Sequence, residues 1–166
     1  MKLLKPTLLA LACALLLAGL NQQTRGVISE NQRYFEQKLL RDLVAPVTAS
    51  PDIIETQDGF EVSSDETLVA YIKRVTTTQG YNGDISMLVA YTPGNQVISI
   101  RVTRHRETPG IGDKIDIAVS PWINQFKGTD GNTVWFLAPT GDIDGITGAT
   151  ITSRAVTQAI SEVIIQ

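Results

Sequence analysis

The stretch "DISMLVAYTPGNQVISIRVTRH", residues 84–105, restricts the fold more than any other part of this 166-residue chain. Its second half alternates strictly. Ile98, Ile100 and Val102 fall on one side, and Ser99, Arg101 and Thr103 on the other. A period of two is the mark of a strand with one buried face. "TPGN" between the halves is a Pro-Gly turn. Residues 84–104 are therefore expected to form an antiparallel hairpin.

The rest of the pattern surrounds that hairpin. "TLVAYIKRVTT", residues 67–77, and "NTVWFLA", residues 132–138, also read as strands. "SPWINQF" reads as a short helix, with Ser120 as N-cap and Pro121 in the first position. The last helix carries Ile151, Ala155, Val156, Ala159, Ile160, Val163 and Ile164 on one broad stripe. Before the strands, residues 29–44 read as an amphipathic helix. Ser29 and Gln32 have capping-box spacing, Phe35, Leu39, Leu40 and Leu43 share a face, and Pro46 ends it. Helix, antiparallel strands, then helix implies the α+β class, an antiparallel sheet flanked by helices.

The N-terminus is different in kind. Lys2 and Lys5 precede an uncharged apolar run from Leu8 to Leu20. That run suits either a cleaved signal peptide or an uncleaved single-pass anchor, and no clean cleavage site follows it. The reading adopted is an N-terminal transmembrane helix within residues 1–24. Residues 25–66 are then a leading helix and connecting segment, and residues 67–166 the folded domain. Either reading exports the domain, because the lysines stay inside.

Composition excludes several chemistries. With one cysteine, Cys13, and one histidine, His105, no intrachain disulfide, thiolate-held cluster or four-ligand Cys/His zinc site can be built. No metal site is expected, and any redox role needs an organic cofactor. The formal net charge of −3 implies no basic face, so nucleic acid is not an expected partner. No nucleophile with a positioned base is evident, and no catalytic residue is assigned.

Three segments remain. In "DGITGATITSRAV", from Asp144, hydroxyl residues crowd the mouth of a helix. The helix N-terminus, flexible glycines and Arg154 would suit a phosphate, while caps and turns explain the same residues. "RHRETPGIGDK", from Arg104, is a Pro/Gly loop directly after a strand. Its His105 and Glu107 could form an acid–base pair or simply line a polar hairpin exit. In "TQGYNGDI", Tyr81 could stack on a ligand ring or pack on the core. "DID", residues 142–144, offers carboxylates to a cation but fits a turn better.

Taken together these segments carry a resemblance. "DGITGAT" matches the D-x-x-[ST]-G-A-T pattern of flavinylation sites, and the order "GYNGDI", "VTRHRETPGIGDKI", "SPWINQF", "ITGATITSRAV" resembles the G subunit of the Rnf (Rsx) electron-transport complex. The C subunit of the sodium-translocating NADH:quinone reductase is a related alternative, and a non-redox membrane-anchored binding module another. The resemblance implies a flavoprotein subunit of an ion-translocating complex that moves electrons between ferredoxin and NAD. It implies FMN joined by a phosphoester to Thr150 by a separate flavin transferase. It also implies the other complex subunits and the membrane as partners, and a place in the cell inner membrane with the FMN domain on the periplasmic side. Thr147 and Thr152 would then bond the phosphodiester or cap the helix. Gly148 and Ala149 would keep the site open, and Glu107, Thr108, Gly110 and Tyr81 would border the flavin.

Overall fold

In the computed structural model, which describes residues 4–165, helix α1 (Leu4–Val44) runs without a break for 41 residues. The separate helix expected to start at Ser29 does not exist. The residues before Ser29 are already helical, so its amide has an intrahelical partner to find and needs no cap. No proline interrupts residues 7–44, and Gly26 costs a helix only about 1 kcal/mol. Phe35, expected on a buried face, is exposed. Pro46 does end the helix, and the N–H groups of Val47 and Thr48 both turn back to the Val44 carbonyl.

The chain divides into two compact units, Met1–Leu40 and Arg41–Gln166. Among the described residues no helix is long and apolar enough to cross a membrane. The anchor expected over residues 1–24 rests on Lys2 and Leu3, which lie outside the described residues, and on several apolar side chains that do as well.

The second unit is built on five antiparallel strands in sequential order: β1 (Asp52–Glu55), β2 (Gly59–Ser64), β3 (Thr67–Gly80), β4 (Gly83–Tyr91) and β5 (Val97–Arg104). The expected hairpin is the β4–β5 pair, with Val89 opposite Ile100 and Met87 opposite Val102. Strands β1 and β2 lie within the segment read as a connection. Helix α2 (Thr150–Ile164) closes the chain.

Alternation sorts the sheet into two faces. Ile85, Met87 and Val89 of β4 join Val97 and Ile100 of β5 on the face covered by α2, where Val156, Ala159, Ile160 and Val163 meet them. Each Val, Ile or Met side chain among them contributes about 1.5–3 kcal/mol by leaving water. The residues between them, Leu88 and Ala90, are buried too, on the face shared with Phe60, Val62, Ala70 and Ile72. There the Ser99 hydroxyl donates to the Leu43 carbonyl at 2.6 Å, tying the end of α1 to β5. Both faces of the sheet thus carry buried apolar residues.

"NTVWFLA" is not a strand. Its backbone folds back on itself, with Asp142 N–H on the Val134 carbonyl and one isolated bridge between Leu137 and Ile143. Trp135 is buried against Phe126, while Val134 and Phe136 are exposed. One buried aromatic between two exposed apolar residues mimics strand alternation without any sheet partner.

Candidate functional site

Helix α2 begins at Thr150, and what precedes it is held from three sides. Gln125 grips both backbone groups of Asp144: its Oε1 accepts the Asp144 N–H at 2.8 Å and its Nε2 donates to the Asp144 carbonyl at 3.3 Å. Trp122 Nε1 donates to the same carbonyl at 2.7 Å. Both side chains come from a 3-10 helix, Pro121–Phe126, capped by Ser120 as expected: its hydroxyl accepts the Trp122 N–H. At the other end, the buried Ser153 hydroxyl accepts the Ile146 N–H and donates to the Ala149 carbonyl, both at 2.9 Å. Gly148 sits between with φ +83°, in the left-handed region.

The N-cap position is taken by Ala149, and no side chain caps the helix. The capping reading of Thr147, Thr150 and Thr152 therefore fails. Thr150 is exposed, at the first turn, where N–H groups point outward with a partial positive charge.

Two cavities meet at Thr150. One, of about 520 Å³, is lined by Tyr81, Glu107, Thr108, Ile111, Gly112 and residues 148–152. That volume falls within the ~300–1,000 Å³ usual for small-molecule sites. The other, of about 450 Å³, is bordered by Phe136, Thr140, Thr147 and Arg154 as well as Thr150. Most expected site residues therefore come together, from positions as distant as Tyr81 and Thr152. Two do not line the larger cavity. Thr147 faces the second one, and Gly110 lines neither, serving instead as a turn residue with φ +76°.

The loop after β5 is tied to both neighbours of the larger cavity. Glu107 Oε1 accepts the Asn82 N–H at 3.0 Å, Glu107 Oε2 accepts the Thr152 hydroxyl, and Asn82 Nδ2 donates to Thr108 Oγ1 at 3.2 Å. The carbonyl of Thr108 gathers the N–H groups of Ile111, Gly112 and Asp113. Thr152 is buried and its hydroxyl is committed to Glu107, so it is not a donor toward a phosphate. An acid–base pair of His105 and Glu107 is not formed. His105 Nδ1 accepts the backbone N–H of Glu107, while the carboxylate points to Asn82 and Thr152. Asp142 and Asp144 have structural duties: Asp142 Oδ2 accepts the Val134 N–H at 2.8 Å, and Asp144 is held through its backbone by Gln125 and Trp122. Among the described residues no group of three or more His, Cys, Asp or Glu side chains could hold a metal ion.

The loop from Glu107 to Gly112, expected to border the flavin, brings Ile111 and Gly112 to the larger cavity as well, whereas sequence reading misses Ile151 as a cavity residue. Ile151, which the pattern puts on the buried stripe of α2, is 49% exposed and lines the larger cavity. Its position at the start of the helix, before the stripe gains a neighbour to cover it, is the signal that could have found it. Tyr81, 65% exposed, lines the same cavity.

The FMN-binding domain family matches residues 80–165, a span that contains both loops and the whole of α2. The chain is 31% identical to the G subunit of the ion-translocating oxidoreductase complex from Shewanella baltica, over 95% of this chain and 84% of that one. It is 35% identical to the protein of that name from Escherichia coli strain K12, over 87% and 79%. It is 34% identical to that from Haemophilus influenzae strain PittEE, over 89% and 80%. Among solved structures, NqrC of Shewanella oneidensis is similar with a TM-score of 0.51 and 29% identity, over 61% of this chain and 52% of that one. The chain belongs to the family of G subunits of ion-translocating oxidoreductase complexes, with an FMN-binding domain at residues 80–165.

Proposed function

We propose that this chain is the electron-carrying flavoprotein subunit of an Rnf-type ion-translocating complex, with FMN joined to Thr150 through a phosphoester. The observation that carries the reading is the placement of Thr150. It is an exposed hydroxyl with no structural duty, at an uncapped helix N-terminus, opening onto a 520 Å³ cavity.

The residues fit such a group. When bound, FMN supplies the electron chemistry that side chains lacking thiols and metals cannot. Thr150 offers the ester oxygen. The first-turn N–H groups of α2 favour the phosphate charge, and Arg154, one turn on and sharing the second cavity, adds a guanidinium. Ile111, Ala149 and Ile151 provide an apolar wall, and Tyr81 an aromatic face at the rim. The tight hold of Gln125, Trp122 and Ser153 on residues 144–149 presents the Thr150 hydroxyl in one geometry, which a flavin transferase needs for a reproducible acceptor.

The relatives named as G subunits of an ion-translocating oxidoreductase complex support assembly with the other subunits of such a complex. The resemblance carried by the sequence motifs adds a membrane complex moving electrons between ferredoxin and NAD. The likeness to NqrC favours, as second reading, the C subunit of a sodium-translocating NADH:quinone reductase. It extends over only 52% of that chain, against about four-fifths of the G subunits, so the G-subunit reading is preferred. The charge pattern at Lys2 and Lys5 supports a single-pass anchor in the inner membrane with the FMN domain on the periplasmic side.

The deciding experiment is an intact mass of the full chain made together with a flavin transferase, followed by peptide mapping. A mass gain of one FMN less one water, on the peptide holding Thr150, is expected. Unmodified chain under these conditions, or flavin on another peptide, overturns the reading.

A further inference from the structure

Among the described residues Glu107 is the only buried charged side chain, 4% exposed. Burying a carboxylate is expensive unless hydrogen bonds replace its water. Here two do, one at each oxygen, and no cation of the described residues joins them. The space for it is made by two glycines. A Cβ on Gly80 would lie 2.9 Å from Glu107 Oε1, and one on Gly112 would lie 2.9 Å from Glu107 Cβ and 3.0 Å from Oε2. Through this one side chain the turn before β4, the loop after β5 and the first turn of α2 are joined, and these three segments are the walls of the cavity at Thr150.

The hydrogen bonds alone do not call for a charge. A glutamine could accept the Asn82 N–H through its carbonyl oxygen and donate its amide to Thr152 Oγ1. What an amide cannot supply is a fixed negative charge at the cavity wall, in a place where water does not screen it.

We propose that Glu107 is a positioning residue of the FMN-binding site: its carboxylate clasps the three walls together, and its charge makes the group bound in the cavity harder to reduce. The proposal rests on the reading that FMN is carried at Thr150. Reduction adds negative charge to the flavin, and a neighbouring anion opposes it.

The test uses the full chain, made together with a flavin transferase, as wild type, Glu107→Gln and Glu107→Ala. Three quantities are read: flavin per chain, flavin midpoint potential, and hydrogen exchange at Asn82 and residues 108–113. Glu107→Gln should keep wild-type flavin content and exchange while its potential rises. Glu107→Ala should exchange faster at the Asn82 amide and lose flavin several-fold. An unchanged potential in Glu107→Gln overturns the charge role, and wild-type exchange and flavin content in Glu107→Ala overturn the clasp. If Glu107→Ala fails to fold, Glu107→Gln decides: rescue of fold and flavin by the amide supports the clasp, and its loss of both overturns it. A wild-type chain without flavin at Thr150 overturns the functional reading and the charge role with it, while the exchange comparison still decides the clasp.

Discussion

The Ser153 hydroxyl accepts the backbone N–H of Ile146 at 2.9 Å, across seven residues and away from solvent. It reaches backward over the start of α2 and fixes the loop that ends at Thr150. Ser153→Ala leaves a buried N–H without a partner, which should cost about 1–3 kcal/mol. Ser161→Ala, on the same helix, removes an exposed hydroxyl bonded only to the Gln158 carbonyl and should stay within about 0.5 kcal/mol. Urea denaturation of both variants measures the contrast. Equal losses would show that the Ser153 bond holds nothing in particular.

Thr150→Ala should behave in the opposite way. Thr150 is exposed and caps nothing, so stability should change by no more than about 0.5 kcal/mol. Covalent flavin should disappear, read as in-gel fluorescence after denaturation. A fluorescent Thr150→Ala band would remove the assignment.

Two glycines of the loop after β5 should separate stability from site geometry. At Gly110 a Cβ meets nothing within 4 Å, but φ is +76°, so Gly110→Ala should cost about 1–2 kcal/mol of backbone strain and leave the flavin spectrum unchanged. At Gly112 a Cβ collides with Glu107, so Gly112→Ala should disturb the Glu107–Thr152 bond and shift the spectrum. Thermal melts and visible absorption decide it. A spectral shift in Gly110→Ala alone would contradict this division.

What the sequence reveals depends on how local the cause is. The β4–β5 hairpin, the Ser120 cap and α2 are legible because period, turn and cap lie within a few residues of each other. Strands β1 and β2 are not: β1 is a four-residue edge, mostly exposed, paired among the described residues with β2 alone. The segment at Trp135 misleads because its alternation arises from one buried indole rather than from a sheet. Thr150 is legible as a motif, and the loops around it as companions of that motif. The bond from Glu107 to Thr152, 45 residues apart, is tertiary, and it converts an expected phosphate donor into a structural one.

Alkaline pH should probe the sheet away from this site. Tyr91 sits opposite Tyr71 across β3 and β4, with ring centroids 5.6 Å apart. Burial, and then the nearby Tyr71, raises the Tyr91 hydroxyl above its ordinary value of 10.0. The folded chain therefore holds this proton more tightly than the unfolded one. Its contribution is fully present below pH 10 and is lost as pH rises through the folded-state value. Tyr91→Phe should flatten that alkaline decline in urea midpoint. A decline of the same steepness in the variant would assign it to other groups.

The domain should work on the outer side of the inner membrane. Lys2 and Lys5 precede an apolar run, Leu8 to Leu20, with no charge in it. Positive flanks stay in the cytoplasm, so everything after the run should emerge outside. The chain's single cysteine, Cys13, lies within that run, leaving the exported part without a thiol to oxidise. In cells whose outer membrane has been opened, added protease should degrade the FMN-binding domain while a cytoplasmic marker stays intact. The membrane pellet should retain the full chain after an alkaline wash, with the peptide containing Lys2 still present by mass. Loss of that peptide would point to a cleaved signal instead of an anchor. Protection of the domain until the inner membrane is broken would overturn the orientation under either reading.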